Sequence, residues 1–181
     1  MLPQIWLEHV ASRDRVRVLE IGAFDGVSAN LMLDCVFPHP ESEVHTIDAF
    51  LPDPTTPEAN ATTRERFLEN CKRGGHGDRI KLYEGLSIEV LAWMIADEGY
   101  WESFDVVFID GSHFAKDVIT DAVQSWALLK TGGLLIFDDY LWETNGAPWR
   151  HPKTSVDAFE LIYDPLVSLV WTGYQRIFRK L

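Results

Sequence analysis

The chain has 181 residues, 46% of them hydrophobic and 24% charged, a globular composition that excludes disorder along the whole chain. The length predicts one domain over residues 1–181. Sixteen Lys and Arg against 28 Asp and Glu give a formal net charge of −12, which argues against nucleic acid or an anionic membrane surface as a partner.

Short apolar runs alternate with amphipathic segments in the first half of the chain. Arg15–Ile21 is rich in β-branched residues and is followed by Gly22, a pattern that predicts a strand and then a turn. The elements predicted next are a helix over Ser28–Phe37, a strand over Glu43–Ile47, a loop over Leu51–Ala61, a helix over Thr62–Arg73, a strand over Arg79–Tyr83, and a helix that Ser87 caps and that ends near Gly99.

The second half of the chain continues the alternation. Phe104–Ile109 is almost entirely apolar, as expected of a central parallel strand covered on both faces. The elements predicted after it are a helix over Lys116–Leu129, a strand over Leu134–Phe137, an irregular stretch over Leu141–Lys153, a helix over Thr154–Tyr163, and strands over Leu166–Trp171 and Tyr174–Arg179. Because only Thr172 and Gly173 join the last two strands, an antiparallel hairpin is predicted.

This order of elements predicts an α/β fold with a doubly wound sheet of seven strands that ends in an antiparallel hairpin. In such sheets, ligands bind beyond the carboxyl ends of the parallel strands. Five acidic residues stand at or beside these predicted ends: Glu20, Asp48, Asp110, Asp138 and Asp139. Their convergence predicts a site that accepts a metal ion or a cationic group.

The first turn of the chain bears on which ligand binds there. Gly22 and Gly26 allow a ligand to approach the backbone, but the dinucleotide pattern G-x-G-x-x-G would also need glycine where this chain has Phe24 and Val27. A nicotinamide dinucleotide is therefore disfavoured. Asp48 ends the second strand, where a carboxylate can accept the hydroxyls of a ribose.

The segment VLEIGAFDGVS, residues 18–28, resembles the first motif of the class I S-adenosylmethionine-dependent methyltransferases. The resemblance implies a Rossmann-like sheet of order 3-2-1-4-5-7-6 with strand seven antiparallel, and S-adenosylmethionine as cofactor. It places Glu20 and Gly22 at the methionine part, Asp48 at the ribose, and Leu86 and Ser87 at the adenine. The full set of cofactor-binding residues that it implies is Glu20, Gly22, Phe24, Gly26, Asp48, Leu86, Ser87 and Asp110.

Three later motifs are more specific. They are IDGSH at residues 109–113, LLKTGG at 128–133 and FDDY at 137–140. Together they resemble the small methyltransferases (type 24) grouped with macrocin-type and catechol-type O-methyltransferases. That resemblance implies a divalent metal, Mg²⁺, held by Asp110, Asp138 and Asp139, since Mg²⁺ prefers hard oxygen ligands. The alternative for Asp138 and Asp139 is helix capping and loop solvation.

His113 is a candidate general base beside Asp110, the other residue assigned to catalysis. Macrocin-type relatives carry a candidate acidic base two positions after the first metal ligand, where this chain has Ser112. His113 is adjacent and titrates near neutrality, so it can take a proton from a hydroxyl. Alternatively, the Gly-Ser-His segment caps and packs the helix that follows it.

The resulting hypothesis is methyl transfer from S-adenosylmethionine to an oxygen of a small molecule or sugar, assisted by Mg²⁺. Two alternatives stay open: a non-catalytic or differently reacting module that binds the same cofactor, and an NAD-dependent oxidoreductase. About a dozen residues precede the first strand, so a homodimer in which a second copy completes the acceptor pocket also stays open.

The setting predicted for the protein is the cytoplasm. No apolar run approaches the roughly 20 residues of a membrane helix, and the first residues lack the pattern of a signal peptide. The two cysteines, Cys35 and Cys71, have no metal-type spacing and suit a reducing compartment.

Overall fold

The computed structural model describes residues 6, 8–10, 15–52, 62–142 and 146–181. Within these ranges the chain forms a seven-stranded sheet with helices on both faces. The strands are β1 (Arg17–Ile21), β2 (Glu43–Asp48), β3 (Ile80–Glu84), β4 (Phe104–Ile109), β5 (Leu129–Phe137), β6 (Val167–Thr172) and β7 (Arg176–Lys180). The helices are α1 (Val27–Leu31), continued by a π-helical turn over Met32–Val36, α2 (Thr63–Gly74), α3 (Ser87–Ala96), α4 (Ala115–Ser125) and α5 (Pro152–Tyr163).

The strands are arranged in the order β3-β2-β1-β4-β5-β7-β6, which confirms the predicted Rossmann-like topology. The first five strands are parallel, and β7 pairs antiparallel with both β5 and β6. Ile21 at the end of β1 pairs with Ile47 on β2 and Ile109 on β4, so these strands end nearly level. The residues that follow the parallel strands therefore meet at one edge of the sheet.

Apolar layers cover both faces of the sheet. On one face, Leu91 of α3, Ala122 of α4 and Phe159 of α5 are fully buried against it. On the other face, Met32 of the π-helical turn and Trp6 belong to the second layer. The central strand β4 is buried at every position, because its apolar side chains contact both layers.

The boundary between α4 and β5 differs from the prediction. The helix ends at Ser125 and β5 begins at Leu129, where the predicted helix still continued. Leu128 and Leu129 are fully buried, so their apolar character fitted a helix face and a strand equally well. Leu129 pairs with Phe104 on β4, and the chain then loops through Gly132, with φ of 77°, before regular pairing resumes.

Two smaller expectations are also corrected. Ser87 does not cap α3: it is the first residue of the helix, and Leu86 holds the capping position without a side-chain bond. The loop between β6 and β7 has three residues, 173–175, since β7 begins at Arg176.

Parts of two predicted loops lie outside the described residues: 53–61 of the first and 143–145 of the second. In the part of the chain that is described, no helix is both long enough and apolar enough to cross a membrane.

Candidate active site

The turn after β1 is held tightly between its neighbours. Gly22 has φ of 99°, and a Cβ at this position would lie 2.1 Å from the carbonyl oxygen of Asp110. Gly26 has φ of 77°, and its Cβ would lie 2.9 Å from the ring of Phe67 on α2. Only glycine fits both the backbone angle and the space at these two positions.

The Asp48 carboxylate fixes the shape of this turn. Its Oδ2 accepts hydrogen bonds from the backbone N–H groups of Ala23 at 2.8 Å and Phe24 at 2.9 Å, and its Oδ1 accepts one from Phe50 at 2.6 Å. Phe24 is thereby held at φ of 44°, in the left-handed region. A carboxylate has about four acceptor positions, so Asp48 retains capacity for a ligand hydroxyl.

Glu20 is fully buried directly below this turn. The Ser28 hydroxyl donates a hydrogen bond of 2.5 Å to its Oε1, whereas Oε2 has no hydrogen-bond partner within the described residues. Burial raises the pKa of Glu20 to about 7, because the charged form loses its hydration. The free carboxylate oxygen suits a cationic or hydrogen-bond-donating ligand close by.

A cavity of about 520 Å³ opens at the carboxyl ends of β1 to β4. Six of the predicted cofactor-binding residues line it: Gly22, Phe24, Asp48, Leu86, Ser87 and Asp110. Glu20 and Gly26 are not among the described residues in its wall. Glu20 lies beneath the turn, and Gly26 packs against α2.

A second cavity of about 440 Å³ lies on the other side of the turn, and Gly22, Phe24 and Asp110 line both cavities. Its wall is largely apolar, with polar groups from the turn and from the ends of β5 and the last hairpin. The other residues that line it are Trp6, Ala23, Asp25, Val27, Ser28, Leu31, Met32, Val36, Phe108, Asp138 and Gln175. The two cavities are therefore adjacent and share Gly22, Phe24 and Asp110 in their walls.

The three predicted metal ligands come together at this edge. Asp110, Asp138 and Asp139 each place one carboxylate oxygen within 4.8 Å of the others. They meet because Ile109 pairs with Phe137, so the residues directly after β4 and β5 become neighbours. Burial, reinforced by the neighbouring carboxylates, raises the pKa of Asp110 well above its usual range and also raises that of Asp138.

Polar groups from the last hairpin orient two of these carboxylates. The Gln175 side-chain amide donates a hydrogen bond to Asp138 Oδ1, and Gln175 in turn accepts one of 3.2 Å from the Trp6 indole. The Tyr174 hydroxyl donates one of 3.1 Å to Asp139 Oδ1. Three converging carboxylates with like-charge repulsion and fixed orientation fit a divalent cation with hard-ligand preference.

His113 belongs to this cluster. Its Nε2 lies 3.0 Å from Asp139 Oδ2, and its ring stacks on Trp142 with a centroid separation of 4.6 Å and an interplanar angle of 9°. The imidazole is mostly buried and also lines the first cavity. The contacts therefore attach His113 to a carboxylate of the acidic cluster, as well as placing it at the cavity.

Several residues of the site were not among the predicted site residues. Ser28 is part of the motif that identified the first turn, so the motif itself could have indicated it. Gln175 and Tyr174 lie in a hairpin more than 30 residues after Asp138, and nothing in the local sequence points to them. Asp121 stands on an amphipathic helix, where an acid is normally exposed, yet it lines the first cavity.

Comparison with known proteins identifies relatives of this chain. A family model described as a methyltransferase domain matches residues 19–140, which is more than half of the chain. A caffeoyl-CoA O-methyltransferase of Petroselinum crispum is 26% identical over 147 residues, covering 75% of this chain and 60% of its own length. The chain thus spans less than two thirds of the length of the first curated relatives that it matches.

Solved structures share the fold. An O-methyltransferase from Bacillus cereus in complex with SAH superposes with a TM-score of 0.71 at 19% identity, covering 98% of this chain and 80% of that one. The O-methyltransferase TomG from Streptomyces achromogenes, in complex with SAM, gives a TM-score of 0.65 at 18% identity, covering 99% and 80%.

Proposed function

The chain belongs to the family whose model is described as a methyltransferase domain, and from this premise we propose that it transfers a methyl group from S-adenosylmethionine to an oxygen of a small molecule. The observation that carries the proposal is the pair of adjacent cavities that share Gly22, Phe24 and Asp110 in their walls. In this proposal one cavity takes the cofactor, and the acceptor occupies the other, next to these shared residues.

The residues of the first cavity fit S-adenosylmethionine. Gly22 lines this cavity, and the unpartnered oxygen of Glu20, which is buried beside the turn and outside the cavity wall, suits a cationic methionine moiety close by. Asp48 has remaining acceptor positions for the ribose hydroxyls. Leu86 and Ser87 also line this cavity and would contact the base. When bound, S-adenosylmethionine would supply a methyl group on a sulfonium ion, and its transfer to an oxygen nucleophile would form a C–O bond, break the C–S bond and leave S-adenosylhomocysteine.

Asp110, Asp138 and Asp139 would hold Mg²⁺, and the chemistry that it would supply there is Lewis acidity that lowers the pKa of an acceptor hydroxyl. Gln175 and Tyr174 keep Asp138 and Asp139 in place through their hydrogen bonds. Most of the contribution of the protein to the rate is therefore positioning of donor and acceptor.

His113 is proposed as the base that receives the acceptor proton. Asp139 stabilises the imidazolium that forms, because its carboxylate lies 3.0 Å from Nε2. Trp142 stacks on the ring and limits its rotation.

The first test separates binding from chemistry. Calorimetry with S-adenosylhomocysteine should show binding, and S-adenosylmethionine should methylate a hydroxyl compound in an acceptor panel in the presence of Mg²⁺. Asp138→Ala should retain cofactor binding and lose at least about 100-fold in metal-dependent turnover. The exposed Asp78→Ala serves as the matched control and should behave as the wild type.

Three outcomes would contradict parts of this proposal. Tight binding of NAD without binding of S-adenosylhomocysteine would favour an oxidoreductase. Cofactor binding without turnover of any acceptor would favour a non-catalytic module. Full activity of Asp138→Ala in a chelator would remove the metal from the mechanism.

A further inference from the structure

The second cavity, of about 440 Å³, lies between the turn after β1, α1 with its π-helical turn, and the ends of β4 and β5. Four buried apolar side chains form part of its wall: Trp6, Met32, Val36 and Phe108. The rings of Trp6 and Phe108 contact each other, with centroids 5.1 Å apart and planes at 60°. The body of a ligand in this cavity would therefore lie mostly against hydrocarbon and aromatic surface.

The exposed side chains of the wall are apolar as well. Phe24, Val27 and Leu31 line the second cavity and are also exposed to solvent. Val27 and Leu31 are four residues apart on α1, so their side chains lie on the same side of the helix. A ligand that covers these side chains removes apolar surface from water, which favours binding.

The side-chain donors in the wall already bond protein acceptors. The Trp6 indole N–H donates to Gln175, whose amide in turn donates to Asp138. The Ser28 hydroxyl donates to the buried Glu20. A ligand carboxylate in the second cavity would have to compete with these protein acceptors for a donor.

The ionisable groups of the wall are all acids. Asp25, Asp110 and Asp138 line the second cavity, and no Lys, Arg or His is among the described residues that do so. Arg66 lies over the ring of Phe24, 5.6 Å from its centroid, but its terminal nitrogens donate to hydroxyls at the start of α2. A divalent cation bound to the three carboxylates at this edge of the sheet would offset only two of their negative charges.

We propose that the second cavity takes an uncharged, apolar acceptor and rejects one that carries a carboxylate in the part of the molecule that enters it. The proposal rests on the proposed function, because it assumes that this cavity receives the acceptor. A carboxylate there would lose its hydration and would meet other carboxylates in place of a cation. The acceptor is then not any small hydroxyl compound, but an apolar one without a negative charge.

The test compares two ligands of nearly the same shape that differ in charge. At about pH 7.5, 6-hydroxy-2-naphthamide is uncharged, whereas 6-hydroxy-2-naphthoate carries a carboxylate, and each has one hydroxyl. Calorimetry with the chain saturated with S-adenosylhomocysteine should show that the naphthamide binds roughly 10-fold or more tightly than the naphthoate. The preference should hold both with Mg²⁺ and in a chelator, because Mg²⁺ offsets only part of the negative charge.

A pair of variants assigns the preference to the second cavity. Leu31→Lys places a positive charge in its wall and should reduce the difference between the two ligands to about threefold or less, because the naphthoate gains a cation. Leu68→Lys makes the same change on α2, outside the walls of both cavities, and should keep the wild-type preference. The two positions are matched, since Leu31 is 46% exposed and Leu68 is 45% exposed.

Thermal unfolding shows whether each variant is folded. If Leu31→Lys does not fold, Val27→Lys takes its place, since Val27 also lines the second cavity and is more exposed. A folded lysine variant in this wall that keeps the full preference would overturn the inference, because the two ligands would then bind elsewhere.

The other outcomes separate the inference from the proposed function. Failure of S-adenosylhomocysteine to bind would overturn the proposed function. If S-adenosylhomocysteine binds, then equal affinities for the two naphthalene ligands, tighter binding of the naphthoate, or no binding of the naphthamide would overturn the inference and leave the cofactor assignment intact.

Discussion

Two neighbouring parts of one sheet edge place their carboxylates in opposite surroundings, backbone donors in one part and other carboxylates in the other. At the end of β2, Asp48 accepts hydrogen bonds from three backbone N–H groups, so its charge is used to shape the turn after β1. At the ends of β4 and β5, Asp110, Asp138 and Asp139 face one another, and burial together with the neighbouring carboxylates raises the pKa of Asp110.

The difference shows which part is complete without a ligand. The turn needs no further charge, because three backbone donors already compensate the carboxylate that holds it, and the remaining acceptor capacity of Asp48 suits a neutral hydroxyl. The three-carboxylate cluster carries surplus negative charge, which costs stability unless a proton or a cation reduces it. Substitutions in the turn should therefore affect stability and binding through steric clashes and backbone strain. Substitutions near the cluster should affect them through electrostatic interactions.

The largest effect is expected from Gly22→Ala, which breaks the turn. The added Cβ would lie 2.1 Å from the Asp110 carbonyl oxygen, and alanine is strained at φ of 99°. Overpacking and backbone strain together should lower the free energy of unfolding by about 3 kcal/mol or more and abolish binding of S-adenosylhomocysteine. Urea unfolding and calorimetry measure the two effects.

Gly75→Ala is the matched control for this change. Gly75 also has a positive φ, of 74°, but nothing lies within 4 Å of a Cβ at that position. It should cost only the backbone strain, about 1–2 kcal/mol, and leave ligand binding intact. If Gly22→Ala costs no more than Gly75→Ala, the close contact between the turn and β4 does not matter.

A smaller effect is expected from Glu20→Gln, which replaces the buried carboxyl beside the turn with a side chain that does not titrate. Burial raises the pKa of Glu20 from 4.5 to about 7, and Asp48 adds to the rise. Between these pH values the folded chain keeps a proton that the unfolded chain releases. The contribution of Glu20 to stability is thus complete below pH 4.5 and is lost as the pH rises to 7.

The free energy of unfolding of the wild type should therefore fall, relative to that of Glu20→Gln, by up to about 1.4 kcal/mol per pH unit between pH 4.5 and 7. The measurement is urea unfolding of both proteins across this range. Glu89→Gln, an exposed site on α3, should show no such trend. Parallel curves for the wild type and Glu20→Gln would mean that the buried carboxyl titrates normally.

Much of the fold and part of the site could be predicted from the sequence. The run Phe104–Ile109 has only one polar residue, which is typical of a central parallel strand that is buried on both faces. Asp110, Asp138 and Asp139 directly follow buried strands, so the parallel order alone brings them together.

Other features depend on tertiary contacts that no local pattern encodes. Asp48 accepts a hydrogen bond from the N–H of Phe24 because of the path that the turn takes. The position of Asp48 at a strand end suggested only a contact with a ligand. Gln175 reaches Asp138 because β7 runs antiparallel beside β5, which brings a hairpin residue to the edge where the parallel strands end.

The smallest effect is expected from Gln175→Leu, which tests how Asp138 of the three-carboxylate cluster is held in place. The variant loses the amide that orients Asp138, so Mn²⁺, used as a probe, should bind about 10-fold more weakly. The free energy of unfolding should change by about 1 kcal/mol, the worth of a hydrogen bond, because the leucine fills much of the same space. Trp6→Phe breaks the other bond of Gln175 and should leave Mn²⁺ affinity unchanged, because the amide still reaches Asp138. Unchanged affinity in Gln175→Leu would show that β5 alone orients Asp138, and the two parts of the edge would then differ in charge but not in how their carboxylates are held.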